Sequence, residues 1–282
     1  MFLKMRKLLS FLAIAVVLSS CNEYQKALKN EDVKAKYDLA QKYYEEEDYK
    51  RANRLFEQIA PKYVGKPQGE RVMFFFANTY FETKDYNTAG YQFERFIKSY
   101  PKSEKVPQAS FLGAKSYFQL SPLHSLDQTD TDKALIKLQS FINTFPDSEY
   151  FDEANKMAKE LTTKKERKAF EIGKQFNKLG RFDYSFLTPA MAAFDNFISD
   201  YPGSIYREEA LYLKFEAATE FGMNSFSRLK PERLEEAKTA YSVLKKQYPE
   251  TKFEDDAAKL LKKIDKELGN KIINEVEEKE TK

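Results

Sequence analysis

Four segments of this chain end alike: Phe96-Ile97-Lys98-Ser99-Tyr100-Pro101, Phe141-Ile142-Asn143-Thr144-Phe145-Pro146, Phe197-Ile198-Ser199-Asp200-Tyr201-Pro202 and Leu244-Lys245-Lys246-Gln247-Tyr248-Pro249. An alanine precedes each ending at one fixed offset: Ala89, Ala134, Ala190 and Ala237. Before Ala89 the order is Ala77, Tyr80, then Asp85-Tyr86, with Phe93 and Phe96 following. That order spells a helix, a tight turn at Asp85, an antiparallel second helix and a stop. Small Ala77 and Ala89 let the two helices approach closely, and Tyr80, Phe93 and Phe96 fill the space beside them. Pro101 ends the unit because it has no N–H and its ring clashes with the preceding turn. Small and aromatic residues on a helix pair closed by Pro make the tetratricopeptide repeat pattern.

An earlier copy, Ala40, Tyr43, Tyr49, Ala52, Phe56 and Ile59, keeps the spacing but has Val64 where the Pro would fall. The expected fold is therefore all-α: a tetratricopeptide-repeat superhelix of five helix pairs plus a C-terminal capping helix. The repeats fall at about 34–66, 67–102, 103–147, 148–203 and 204–252, and the cap at 253–268. Phe253, Ala257, Leu260, Leu261 and Ile264 give the cap one apolar face. Gly269 is expected to end it, and the Glu- and Lys-rich tail 269–282 reads as a further helix or as disordered chain.

The amino terminus carries a separate message. Residues 1–20 have a basic start and an apolar run, Leu8–Leu18, too short for the roughly 20 residues that cross a bilayer. They read as a secretory signal. The run ends Leu18-Ser19-Ser20-Cys21, and Cys21 is the only cysteine, so no disulfide can use it. This resembles the bacterial lipobox, in which the Cys is acylated and becomes the first mature residue, and residues 21–33 then form a lipidated Cys and polar tether. No acidic run follows Cys21, which places the anchor in the outer membrane, facing the periplasm. Removing Lys4, Arg6 and Lys7 with the signal leaves 44 basic against 44 acidic side chains, and no basic stripe suggests nucleic acid.

The first helices of repeats one to three stand in a 37-residue register. Tyr37, Phe74 and Phe111 correspond, as do Tyr44, Phe81 and Phe118 two turns later. Together with Asn78 they are the candidate peptide-binding groove, which the repeat pattern puts on the concave side. The competing use of Tyr37, Phe74 and Phe111 is packing between successive first helices. Repeat four presents Arg167, Phe170, Lys174, Asn177 and Lys178 at these positions, and repeat five Glu209, Tyr212, Glu216, Thr219 and Glu220. An aromatic first half and a charged second half suggest two partners.

Repeat three holds a long loop, residues 120–132, with the only His, His124. Its Asp127, Asp130 and Asp132 lack the Gly and closing Glu of a calcium loop, and Thr131 or Asp132 reads as the cap of a helix from Lys133. In repeat four, Pro189 is placed to start the second helix. No Gly-rich phosphate loop, His–Glu zinc motif or Ser/His/Asp set is present, so the chain reads as a non-enzyme with no cofactor and no metal.

A lipobox followed by five such repeats resembles the BamD family of lipoproteins of the outer-membrane β-barrel assembly machinery. The likeness is sharpest at Tyr43-Tyr44, Asp48-Tyr49, Ala52 and Phe56, at Phe96–Pro101 and at Phe141–Tyr150, with Leu120-Ser121-Pro122 and Ser125–Thr129 like the Bacteroidetes form. The resemblance implies an adaptor whose amino-terminal repeats receive the carboxy-terminal segment of unfolded outer-membrane proteins. It also implies that the carboxy-terminal repeats dock the last periplasmic domain of the barrel protein BamA, beside other subunits of the machinery. Arg167, Phe170, Lys174, Lys178, Tyr212 and Glu216 are the candidate BamA-docking residues. The family arginine that pairs with BamA falls at Ala193 here, so the docking chemistry differs. The alternative reading is a repeat lipoprotein that organises cell-envelope or peptidoglycan enzymes.

Overall fold

A computed structural model of the chain describes residues 23–280, with side-chain surroundings through residue 269. The signal segment and Cys21 lie outside the described residues. Every regular element among those residues is helical. After α1 (residues 23–29) come α2 (Val33–Glu45), α3 (Tyr49–Tyr63), α4 (Gly69–Glu82), α5 (Tyr86–Ser99), α6 (Val106–Leu120) and α7 (Thr129–Thr144). Then follow α8 (Phe151–Gly180), a 3-10 turn (Tyr184–Phe186), α9 (Leu187–Asp200), α10 (Arg207–Met223), α11 (Lys230–Gln247) and α12 (Glu254–Glu280). The fold is all-α and of tetratricopeptide type. Two compact units divide it: residues up to 122 with 127–161, and residues 123–126 with those from 162 on.

In unit 1 the alanines do what the repeat pattern requires. Ala40, Ala52, Ala77 and Ala89 are fully buried, and Tyr43, Phe56, Phe93 and Phe96 fill the core around them. The tight turns within the first two pairs share one construction. Lys84 has φ 66° and Glu47 φ 60°, left-handed conformations that close the helix. Asp85 N–H donates to Tyr80 O at 2.9 Å and Lys84 N–H to Phe81 O at 3.0 Å, the paired bonds of a Schellman ending. Asp48 and Asp85 then cap the second helices, accepting from Arg51 N and Thr88 N, each at 3.2 Å.

The joints between repeats share a second device. Two residues beyond each Pro stands a Ser or Thr, and two further on a ring or a lysine: Ser103/Lys105, Ser148/Tyr150, Ser204/Tyr206 and Thr251/Phe253. Each hydroxyl accepts the N–H of the second residue, at 3.0 to 3.3 Å. Three of them also donate to a glutamate on the preceding repeat's first helix: Ser103 to Glu70 (2.6 Å), Ser204 to Glu166 (2.7 Å) and Thr251 to Glu208 (2.8 Å). The second residue then lies flat over an aromatic of that same helix. Tyr150 stacks on Phe111 at 4.6 Å, Tyr206 on Phe170 at 5.1 Å and Phe253 on Tyr212 at 4.4 Å, while Lys105 Nζ sits 4.6 Å from the Phe74 ring. These hydroxyls close Ser/Thr turns ahead of the helices rather than cap them, and each ring pair adds about 0.5–1.5 kcal/mol beyond its area.

Several local expectations need correction. Residues 23–29, read as a polar tether that could be partly helical, are helical and packed on the first repeat. Of Pro61, Gly65, Pro67 and Gly69, which the sequence offers as the break before repeat two, Pro61 sits inside α3, near its end, so the chain breaks only after Tyr63. α7 begins at Thr129, not Lys133; Thr131 is fully buried and donates its hydroxyl to the Gln128 side chain at 2.8 Å instead of capping. α9 begins at Leu187, leaving Pro189 in its first turn, where no helical N–H partner is lost. α12 runs through Gly269 to Glu280, because one glycine costs a helix only about 1 kcal/mol.

Candidate functional site

The amino-terminal aromatic positions are largely spent on packing. Phe74 and Phe111 are 3% and 2% exposed. Phe74 meets Phe93 and Phe96 at 6.0 and 5.5 Å, and Phe111 meets Phe141 at 5.6 Å. The expectation that these two rings line an open groove is therefore wrong, and the joint device is the reason: each has a lid. Asn78 is buried and donates to the Tyr44 hydroxyl at 2.7 Å. The Tyr44 ring stacks on Phe75 at 4.2 Å, and burial, above all else, pushes its phenol up to about 12. Tyr37 leans on Tyr63 at 5.6 Å and Phe81 on Tyr86 at 5.6 Å, and Phe118 packs at the margin of the α6–α8 core. Tyr37, Tyr44, Phe81 and Phe118 stay half-buried and keep an accessible edge.

Unit 2 treats its candidates the same way. Phe170 is 1% exposed, among Phe194, Phe197 and Tyr206, and Tyr212 is buried beneath Phe253. Neither offers a face for docking, which corrects that part of the expectation. Thr219 is buried and donates to Phe215 O at 2.8 Å. Two contacts join the polar positions of the two repeats, while Arg167 and Lys178 stay exposed. Lys174 reaches Glu209 at 3.2 Å, and Asn177 donates to Glu216 at 2.8 Å. The basic row of repeat four and the acidic row of repeat five are thus two sides of one strip.

Alongside that strip lies an open-sided cavity of about 590 Å³. Lys168, Lys174 and Lys178 of α8 line it, with Arg181 just past the end of that helix, together with Glu171, Gln175 and Asn177. Ile172, 42% exposed, and Leu213 of α10 provide an apolar surface. The opposite rim is His124 and Ser125 from the repeat-three loop, held by the Lys168 ammonium donating to Leu126 O at 2.7 Å. Lys178 and Arg181 are exposed, as is Arg167 outside the cavity. The Tyr212 phenol is raised to about 12 by burial first and then by Glu216 and Asp256, with Arg181 opposing. Four cations against one carboxylate, beside apolar side chains, suit an anionic protein segment better than a small neutral metabolite.

The sequence reading placed Lys174, Lys178 and Glu216 in this neighbourhood. It passed over Lys168, Gln175, Arg181 and the two loop residues. The spacing 168, 171, 172, 175, 178 on one helix face was a visible signal for Lys168 and Gln175. The contribution of His124 and Ser125 had none. Among the described residues, no three His, Cys, Asp or Glu side chains gather in a metal-holding group.

Comparison with known proteins decides the lineage. Residues 29–183 and 182–277 match YfiO, described as outer membrane lipoprotein. The chain belongs to the YfiO family of outer membrane lipoproteins. No curated protein matches the chain significantly. The two YfiO matches take in α2 through most of α12, so the helical array as a whole carries the likeness. As a YfiO, BamD-like protein it is a tetratricopeptide lipoprotein of the outer membrane, of a family linked to the outer-membrane assembly machinery and made of non-catalytic adaptors. No helix among the described residues is long and apolar enough to cross a membrane.

Proposed function

We propose that the protein is a non-catalytic adaptor of the β-barrel assembly machinery, lipid-anchored through Cys21 on the periplasmic face of the outer membrane. It binds a BamA-like barrel protein and the carboxy-terminal segments of unfolded outer-membrane proteins. The observation that carries this reading is the YfiO match from residue 29 to 277, across both units. The basic cavity of unit 2 supports it, because a protein docking surface needs accessible charge next to apolar area. Lys174, Lys178 and Arg181, with Arg167 beside them, are the residues assigned to BamA docking, in place of the buried Phe170 and Tyr212. The client segment meets unit 1 at the half-buried edges of Tyr37, Tyr44, Phe81 and Phe118, where each ring contact adds about 0.5–1.5 kcal/mol.

The test is a detergent pull-down of the tagged protein from its own membranes, read by mass spectrometry. A large barrel protein with repeated periplasmic domains is the expected partner. A Lys178→Glu, Arg181→Glu double variant should recover less of it while keeping its helical circular dichroism. Recovery of cell-wall enzymes without such a barrel would overturn the adaptor role in favour of an envelope scaffold.

A further inference from the structure

Residues 23–29 lead from the anchor position into unit 1, and they are bound to it along their length. Tyr24 meets Tyr43 edge-on at 5.8 Å. The Arg51 guanidinium lies 5.6 Å from the Tyr24 ring and 5.4 Å from that of Tyr43. Glu23 pairs with Lys42 at 3.6 Å, and Tyr24, Ala27 and Leu28 join the core of α2–α5. Lys36, only 9% exposed, donates to Leu28 O at 3.3 Å and to the Gln58 side chain. The short link to α2 is also tied, with Asp32 N–H donating to the Asn30 side chain at 3.0 Å and Asp32 capping Lys34 and Ala35. A lysine at this depth that spends its ammonium on the carbonyl end of α1 marks a built contact, since a buried ammonium needs its hydrogen-bond partners.

We propose that this lipoprotein has no swinging tether: α1 clamps the edge of unit 1 formed by α1 and the start of α3 directly against the phospholipid surface. The proposal rests on the acylation of Cys21. An extended residue spans at most about 3.6 Å, so the Cys21 Cα lies within about 7 Å of that of Glu23. That reach is comparable with the headgroup layer, about 5–7 Å thick on each side of the bilayer. A free tether over 22–33 would wander by about 20 Å instead. The clamp gives the adaptor a fixed attitude at the membrane from its first repeat.

The experiment uses the full-length acylated protein in vesicles of phosphatidylethanolamine and phosphatidylglycerol carrying a headgroup quencher. Cys21 is the only native cysteine, so Lys26→Cys, Arg54→Cys and Ile136→Cys each take a single fluorescent label. Arg54 is exposed near α1, and Ile136, 67% exposed on α7, is the reference. Quenching at 26 and 54 should exceed that at 136 by roughly twofold or more, given the span of two residues to the lipid. A twelve-residue Gly/Ser insert after Asn22 should bring position 54 down to the level of 136, since such a linker reaches about 20 Å. Equal quenching at all three positions in an acylated, vesicle-bound chain overturns the clamp alone, as does quenching that the insert leaves unchanged. A chain that lacks the acyl mass and does not float with vesicles overturns the Cys21 reading and the clamp together.

Discussion

Replacing Phe74 by Ala separates a groove residue from a core residue. The ring is 3% exposed, touches Phe93 and Phe96 edge-on, and has the Lys105 ammonium 4.6 Å from its centre. Truncating a buried Phe in a packed core costs about 3–5 kcal/mol, part of it the cavity left behind. Three lost ring pairs, the third to Phe75 at 6.4 Å, and a lost cation–π contact place this site in the upper part of that range. Phe81 is half-buried with one edge-on partner, so Phe81→Ala should cost about 1–2 kcal/mol. The assay is urea unfolding of the non-acylated Cys21→Ser form, followed by far-UV circular dichroism. With a slope of about 2 kcal/mol per molar urea, Phe74→Ala should lower the midpoint of the unit 1 transition by about 2 M, and Phe81→Ala by less than half of that. A Phe74→Ala shift below about 0.5 M would refute the core assignment and return the ring to an open groove. Peptide binding lost by Phe74→Ala with no change in stability would refute it equally well.

Two further outcomes follow from local geometry and from burial. Lys84→Gly should raise the unfolding midpoint, because a side chain held at φ 66° costs about 1 kcal/mol that glycine does not pay; a lowered midpoint would show the Lys84 side chain to be needed. In alkaline titration, Tyr44, Tyr117 and Tyr212 should ionise late, each raised to about 12 chiefly by burial. A phenol whose folded pKa lies above its unfolded value contributes stability that is complete below about pH 10 and is lost as pH rises through about 12. The tyrosinate absorbance that develops near pH 12 should therefore track the loss of helix; ionisation of these three phenols with the helices intact would contradict it.

The sequence alone determined the order and antiparallel pairing of the repeat helices, because those depend on local chemistry. Alanines at fixed offsets, Asp85 before a helix and Pro101 after one act within a few residues, and their recurrence specifies pairs that pack on their neighbours. The lineage was legible for the same reason, since the whole spaced pattern is what the YfiO match reads. What only tertiary structure decided is which faces are covered. A helical period puts Phe74, Phe111, Phe170 and Tyr212 on one stripe but cannot say whether solvent or another ring lies over it. The answer depends on Lys105, Tyr150, Tyr206 and Phe253, each about 40 residues or fewer further along the chain and turned inward by its Ser or Thr turn. The cavity of unit 2 is likewise a product of distance in sequence: Leu126 O meets Lys168 across 42 residues, and nothing local to the loop requires it. Burial is settled by what arrives from elsewhere in the chain, and so the array could be read in order while its open surface could not.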